Sequence, residues 1–177
     1  MNTRLLLACL LTTATLSACN GASTTAAKPS TAPSAGTPSA APAFPPIDNE
    51  GCEHLQKGPA VALSGGATAD ATAPEFKLDH KRYDVALTGG KGFIKYQSAE
   101  AKEYVFFTSP TATVAVTDAS GKAVALTSSA PSSKACSDIQ GRYTAKLGIG
   151  VYYLGLSTTA SKVSVVVEDA NDPGGTD

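Results

Sequence analysis

The chain has no tryptophan, only two histidines and four cysteines in 177 residues, and its 14 basic residues nearly balance its 15 acidic ones. Each shortage narrows what the protein can do. With charge so balanced there is no basic field to draw in nucleic acid, which is therefore not an expected partner. His54 and His80 alone leave little for acid–base chemistry. The sequence also has no Gly-x-Ser-x-Gly elbow, no His-Glu-x-x-His pair and no Gly-Lys-Ser/Thr phosphate loop. A protein that is not an enzyme is the expectation. After the start of the chain no run approaches the roughly 20 apolar residues of a membrane span. Nothing recurs with a helical period over a useful length.

What the sequence does carry begins at its first residues. Arg4 supplies a positive start, Leu5 to Leu16 an apolar run, and small residues lead up to Cys19, which is the layout of a secretory signal peptide over residues 1–18. The tetrad Leu16-Ser17-Ala18-Cys19 resembles the lipobox of bacterial lipoproteins. That resemblance implies acylation of the Cys19 sulfur, cleavage before it, and a mature protein held to a membrane at the cell envelope by lipid. It also simplifies the cysteines. Cys9 leaves with the leader and Cys19 carries lipid, so Cys52 and Cys136 remain. In an exported, oxidising compartment such a pair most simply reads as one disulfide.

From Ala22 to Pro46 every residue is Ala, Ser, Thr, Pro or Gly except Lys28 and Phe44. Such a stretch has almost nothing to bury, so residues 19–46 are expected to be a disordered spacer. Depending on how far its prolines stiffen it, the spacer spans from about 30 to about 75 Å. Beyond it, short apolar alternations are separated by turn residues. Val61–Leu63, Tyr83–Thr88, Phe93–Ser98, Tyr104–Thr108, Thr113–Thr117, Ala123–Thr127, Arg142–Leu147, Val151–Ser157 and Lys162–Glu168 all read as strands. One face of each is apolar, as in Tyr83, Val85 and Leu87 or in Val163, Val165 and Val167. The predicted fold is all-β: one antiparallel, jelly-roll-like β-sandwich of eight or nine strands over residues 47–169, with 170–177 as a disordered tail. The acidic run from Asp169 to Asp172 fails as a calcium loop, since Pro173 stands where a ligand is needed.

Tyr104-Val105-Phe106-Phe107, the run Val114 to Gly121 with its Asp-x-x-Gly turn, and Leu147-Gly148-Ile149-Gly150-Val151-Tyr152-Tyr153-Leu154 together resemble the bacterial pre-peptidase C-terminal type of β-sandwich. The resemblance covers about 65 residues and implies an accessory or binding sandwich. No catalytic residue is carried over from it.

Three places hold candidate chemistry. Read as extended backbone, Cys52-Glu53-His54 presents a thiolate and an imidazole on one side. With His80 and Cys136 this gives an S2N2 set that suits tetrahedral Zn or a soft copper ion. That reading competes with the disulfide for the same sulfur atoms. His80 also belongs to Asp79-His80-Lys81-Arg82, a charged lead into the Tyr83 strand that reads as a solvated strand end. Tyr152 and Phe107 each have a neighbouring aromatic pointing to the opposite face, so one member of each pair is a candidate exposed ring for stacking on a sugar. The leading expectation is a non-catalytic envelope lipoprotein with no cofactor. Its partners are the membrane through its lipid and a protein or glycan; Zn/Cu binding and carbohydrate binding are the alternatives.

Overall fold

The computed structural model describes residues 46–172. The leader, Cys19 and the spacer up to residue 45 lie outside them, as does the tail from 173. The described residues begin with a helix, α1 (Pro46–Lys57), over a stretch whose apolar residues show no helical period. Eleven strands follow: β1 (Ala60–Ser64), β2 (Glu75–Phe76), β3 (Arg82–Ala86), β4 (Lys91–Ser98), β5 (Lys102–Ser109), β6 (Thr113–Asp118), β7 (Ala123–Val124), β8 (Leu126–Ala130), β9 (Gly141–Leu147), β10 (Gly150–Ser157) and β11 (Lys162–Asp169).

They form two sheets, one in the order β1-β3-β11-β5-β9-β8 and the other β2-β4-β10-β6-β7. Most neighbours are antiparallel. The exceptions are β1 beside β3 and β2 beside β4, which run parallel at the two edges. The run Ala123–Thr127, read from sequence as one strand, is split. Its first part pairs with β6 in one sheet and its second with β9 in the other, so the chain crosses between layers at Ala125.

Alternation determines which side chains fill the space between the sheets. Tyr83 and Val85, Ile94 and Tyr96, Tyr104 and Phe106, Val114 and Val116, Leu154 and Leu156, and Val163, Val165 and Val167 all belong to one buried cluster. The turns are where the sequence put them: Gly89 and Gly90 both have positive φ between β3 and β4. Gly121 at φ 83 closes the Asp118 turn, with the Asp118 carboxylate accepting from the Ser120 and Lys122 amides.

The six-stranded sheet is covered on its outer face as well. A second cluster contains Val105, Phe107 and Val166 from that face, Ile47 and Leu55 from α1, and Cys136 and Ile139 from the β8–β9 connection. Both faces of β5 are therefore apolar, which is why Tyr104 to Phe107 reads as an unbroken run rather than an alternation. The helix seats itself through Ile47, Gly51 and Leu55, one turn apart, and Gly51 has no side chain where it meets the Phe107 ring. Burying Ile47 and Leu55 contributes about 1.5–3 kcal/mol each.

Local chemistry fixes the helix ends. Pro46 stands at the first position, where its missing N–H costs nothing. Asp48 in the first turn is buried and accepts from Arg142 Nε at 2.8 Å and from the Ser133 hydroxyl at 2.6 Å. At the other end Arg82 donates to the Leu55 carbonyl at 2.9 Å, Gly58 donates to the His54 carbonyl at 3.0 Å, and Pro59 stops the helix.

Candidate functional site

The cysteine pair comes first, because it decides which metal-ligating set is available. Cys52 on α1 and Cys136 in the β8–β9 connection are joined, with Cα atoms 5.8 Å apart and a sequence separation of 84. Their sulfur atoms are therefore bonded to each other, and the set Cys52, His54, His80 and Cys136 does not assemble as ligands. The reason is helical geometry. Residues two apart on a helix point nearly to opposite sides, not to the same side as on a strand. Cys52 faces the β8–β9 connection while His54 faces β11.

The two histidines do come together, with different companions. Glu50 and His54 are four residues apart on α1 and so lie one above the other on one face. Val166 and Glu168 are on the outward side of β11, beneath the helix, and Glu168 is 1% exposed. His54 Nδ1 lies 2.5 Å from Glu168 Oε1. His80 arrives from the β2–β3 loop, where it holds φ 55, in the left-handed region that few residues other than glycine adopt. Its ring meets that of His54 edge-on, with centroids 4.9 Å apart. Its Nδ1 is 3.6 Å from Glu50 Oε1, an ion-pair distance too long for a hydrogen bond. One ligand atom from each of Glu50, His54, His80 and Glu168 lies within 4.8 Å of the others.

Burial controls the electrostatics. The Glu168 carboxyl is pushed up to about 8, first by desolvation and then by the negative charges of Glu50 and Asp172, with His80 opposing. The Oε1 of this buried carboxyl and the Nδ1 of His54 are in hydrogen-bond contact in a setting from which water is largely excluded. Around the cluster the fold is tied down. The disulfide and the Asp48–Arg142 pair hold α1. Asp79 anchors the loop by accepting from the Tyr83 hydroxyl at 2.9 Å and from Lys81 at 2.7 Å. The segment Asp79 to Arg82 is thus engaged with α1 and β3 and is more than a solvated strand end.

Surface depressions of about 570, 400 and 380 Å³ lie beside β5, across the outer face of the six-stranded sheet, and beside β4. None of these three takes a side chain from the four-residue cluster, so the cluster is a compact knot of donors and not the wall of one of these clefts.

The aromatic candidates are placed differently from expectation. Phe107 is 0% exposed, because α1 covers the outer face on which an exposed ring was expected. Tyr152 is half-buried against the core, and its hydroxyl accepts from the Gly148 amide at 2.9 Å. No Tyr or Phe among the described residues is exposed. The rings that meet do so inside the sandwich, as in Tyr96 with Tyr104 and Phe106. A flat, exposed platform for a sugar is not built from these side chains.

Glu50 and Glu168 were not singled out from the sequence. Glu50 had one usable signal, its i, i+4 relation to His54, legible only once the helix is known. Glu168 had none, standing 114 residues from its partner. No family model matches the chain, and no curated protein is significantly similar to it.

Proposed function

We propose that the chain is an exported lipoprotein whose β-sandwich is a non-catalytic binding or structural module, held at the cell envelope by lipid on Cys19 and set off from the membrane by the spacer. The observation that carries this reading is the pairing of Cys52 with Cys136, the two cysteines left once the leader is removed and Cys19 is acylated. A structural disulfide persists in an oxidising compartment and rarely in a reducing one. The resemblances of the leader to a lipobox and of the Glu103–Asp169 run to an accessory sandwich point the same way. Its partners in this reading are the membrane, through the lipid, and a protein or glycan met by the displayed domain.

The test is metabolic labelling with a clickable palmitate analogue followed by membrane fractionation. The wild-type protein incorporates label and sediments with membranes, whereas Cys19→Ser does neither. Wild-type protein that stays unlabelled, or a C19S variant that remains membrane-bound, overturns the reading. A second reading is favoured by one observation, the convergence of two imidazoles and two carboxylates, and it concerns what the module holds.

A further inference from the structure

We propose that Glu50, His54, His80 and Glu168 form a binding site for one divalent transition-metal ion of the zinc class. The site is independent of how the protein is anchored. Four donors from three separate parts of the chain converge: two from successive turns of α1, one from the β2–β3 loop and one from the outward side of β11. Ion pairs between single carboxylates and single cations are common on surfaces, but here both histidines of the sequence and two glutamates meet in one small volume.

His80 carries the argument furthest. Its Nδ1 is buried and makes no hydrogen bond among the described residues, while its backbone is held in the left-handed region. A buried ring nitrogen without a hydrogen-bonding partner calls for an explanation. A metal ion among these donors supplies one, since neutral imidazole is a ligand through either ring nitrogen. Such an ion also brings positive charge between two carboxyl groups whose ligand atoms lie within 4.8 Å of each other. The surroundings suit a preformed site. The disulfide fixes the helix that bears two of the donors, and Asp79 fixes the loop that bears the third.

Donor chemistry selects the ion. Two imidazole nitrogens and two carboxylate oxygens form a set typical of Zn2+, which accepts His and Glu in four-coordinate sites. Calcium and magnesium prefer all-oxygen sites. With both sulfurs locked in the disulfide, the soft ligands that would select Cu(I) are absent from the set. Cu2+ competes with Zn2+ at any N/O site of this kind, as the order of divalent affinities requires. Four protein donors on one ion form a closed site, which fits a structural or metal-holding role better than catalysis at the metal.

The experiment titrates the full, chelator-stripped chain with ZnCl2 against a chromogenic chelator, and in parallel with CoCl2. The expected result is one Zn2+ per chain and a rise in Tm on binding. His80→Ala and Glu50→Gln each weaken affinity by a factor of 100 or more while the apo proteins keep the wild-type near-UV circular dichroism. His80 is the variant of choice because its side chain is 41% exposed and its loop lies outside the core. The Co2+ form shows visible d–d bands with no thiolate-to-cobalt charge-transfer band. The proposal is overturned by the absence of saturable 1:1 binding, or by H80A and E50Q binding Zn2+ like the wild type. Either result leaves the four residues as a cluster of structural ion pairs. A charge-transfer band would move the ligands to Cys52 and Cys136 and overturn it as well.

Discussion

Replacing both Cys52 and Cys136 by alanine tests the largest single constraint on the domain. The crosslink spans 84 residues, and the chain-entropy model gives about 4.5 kcal/mol of stabilisation for a loop of that length. For a domain of this size, with an unfolding entropy of about 2.1 cal/mol/K per residue, that corresponds to a Tm lower by about 15 °C. Urea unfolding followed by fluorescence or circular dichroism should show the midpoint falling while the m-value rises, because an uncrosslinked unfolded chain exposes more surface. The loss has a second, local signature. Without the bond, α1 is held by Ile47 and Leu55, by the Asp48–Arg142 pair, and by Arg82 on the Leu55 carbonyl. Hydrogen exchange in the variant should therefore show α1 amides opening well below the global free energy, while β5 and β11 amides open only with it. A stability change under about 1 kcal/mol, with α1 as protected as the central strands, would refute the reasoning. It would mean that apolar seating alone fixes the helix and that the crosslink restrains a denatured state already compact.

Gly51→Ala asks whether the helix truly sits on Phe107. On an exposed helix the change gains about 1 kcal/mol in propensity. Here a Cβ at Gly51 would enter the ring of a fully buried Phe107, an overpacking that costs about 1–3 kcal/mol. The net effect should be destabilising and relieved by a second change, Phe107→Leu; a stabilised single variant would contradict this seating. Asp84 supplies a pH dependence. Burial alone would raise its carboxyl, but the Ser164 hydroxyl, Arg82 and Lys162 together outweigh this and hold it below the usual range. A carboxylate whose folded value is depressed stabilises the fold above its unfolded value near 3.9, and that contribution disappears as pH falls through the folded value. Asp84→Asn should thus cost on the order of 1 kcal/mol at pH 7 and progressively less below about pH 4. Equal penalties at pH 7 and pH 3 would show that the loss comes from something other than charge.

Strand positions and core faces were legible because the signals that encode them are local. Tyr83 and Val85 on β3, or Val163, Val165 and Val167 on β11, alternate with polar neighbours over a few residues, and Gly89-Gly90 or Asp118 to Gly121 mark the turns within the same window. Two departures have equally local causes. A two-residue strand such as β2 is too short to alternate, and the crossing at Ala125 interrupts a run whose composition is uniform on both sides. The helix was hidden for a different reason. Its buried stripe is Ile47, Asp48, Gly51 and Leu55, so half the face it packs against the sheet is carried by a glycine and a charged residue. Neither registers as hydrophobic. Gly51 belongs there because Phe107 needs the space, and Asp48 because Arg142 and Ser133 satisfy it; all three partners are more than 50 residues away.

The same non-locality explains the candidate site. His54 and His80 could be marked as unusual because the sequence contains only two histidines, but what surrounds them depends on whether residues 52–54 are helix or strand. As a strand they put sulfur and nitrogen on one side; as a helix they send Cys52 to Cys136 and turn His54, with Glu50, toward Glu168. One change of local conformation thus converts a soft S2N2 set into an N2O2 set and shifts the favoured ion from copper(I) or zinc to zinc. It also gives the disulfide a structural consequence beyond loop closure. The bond fixes the orientation of the helix whose next turn carries His54, so the geometry of the four donors is tied to the oxidation state of a pair that lies outside the set.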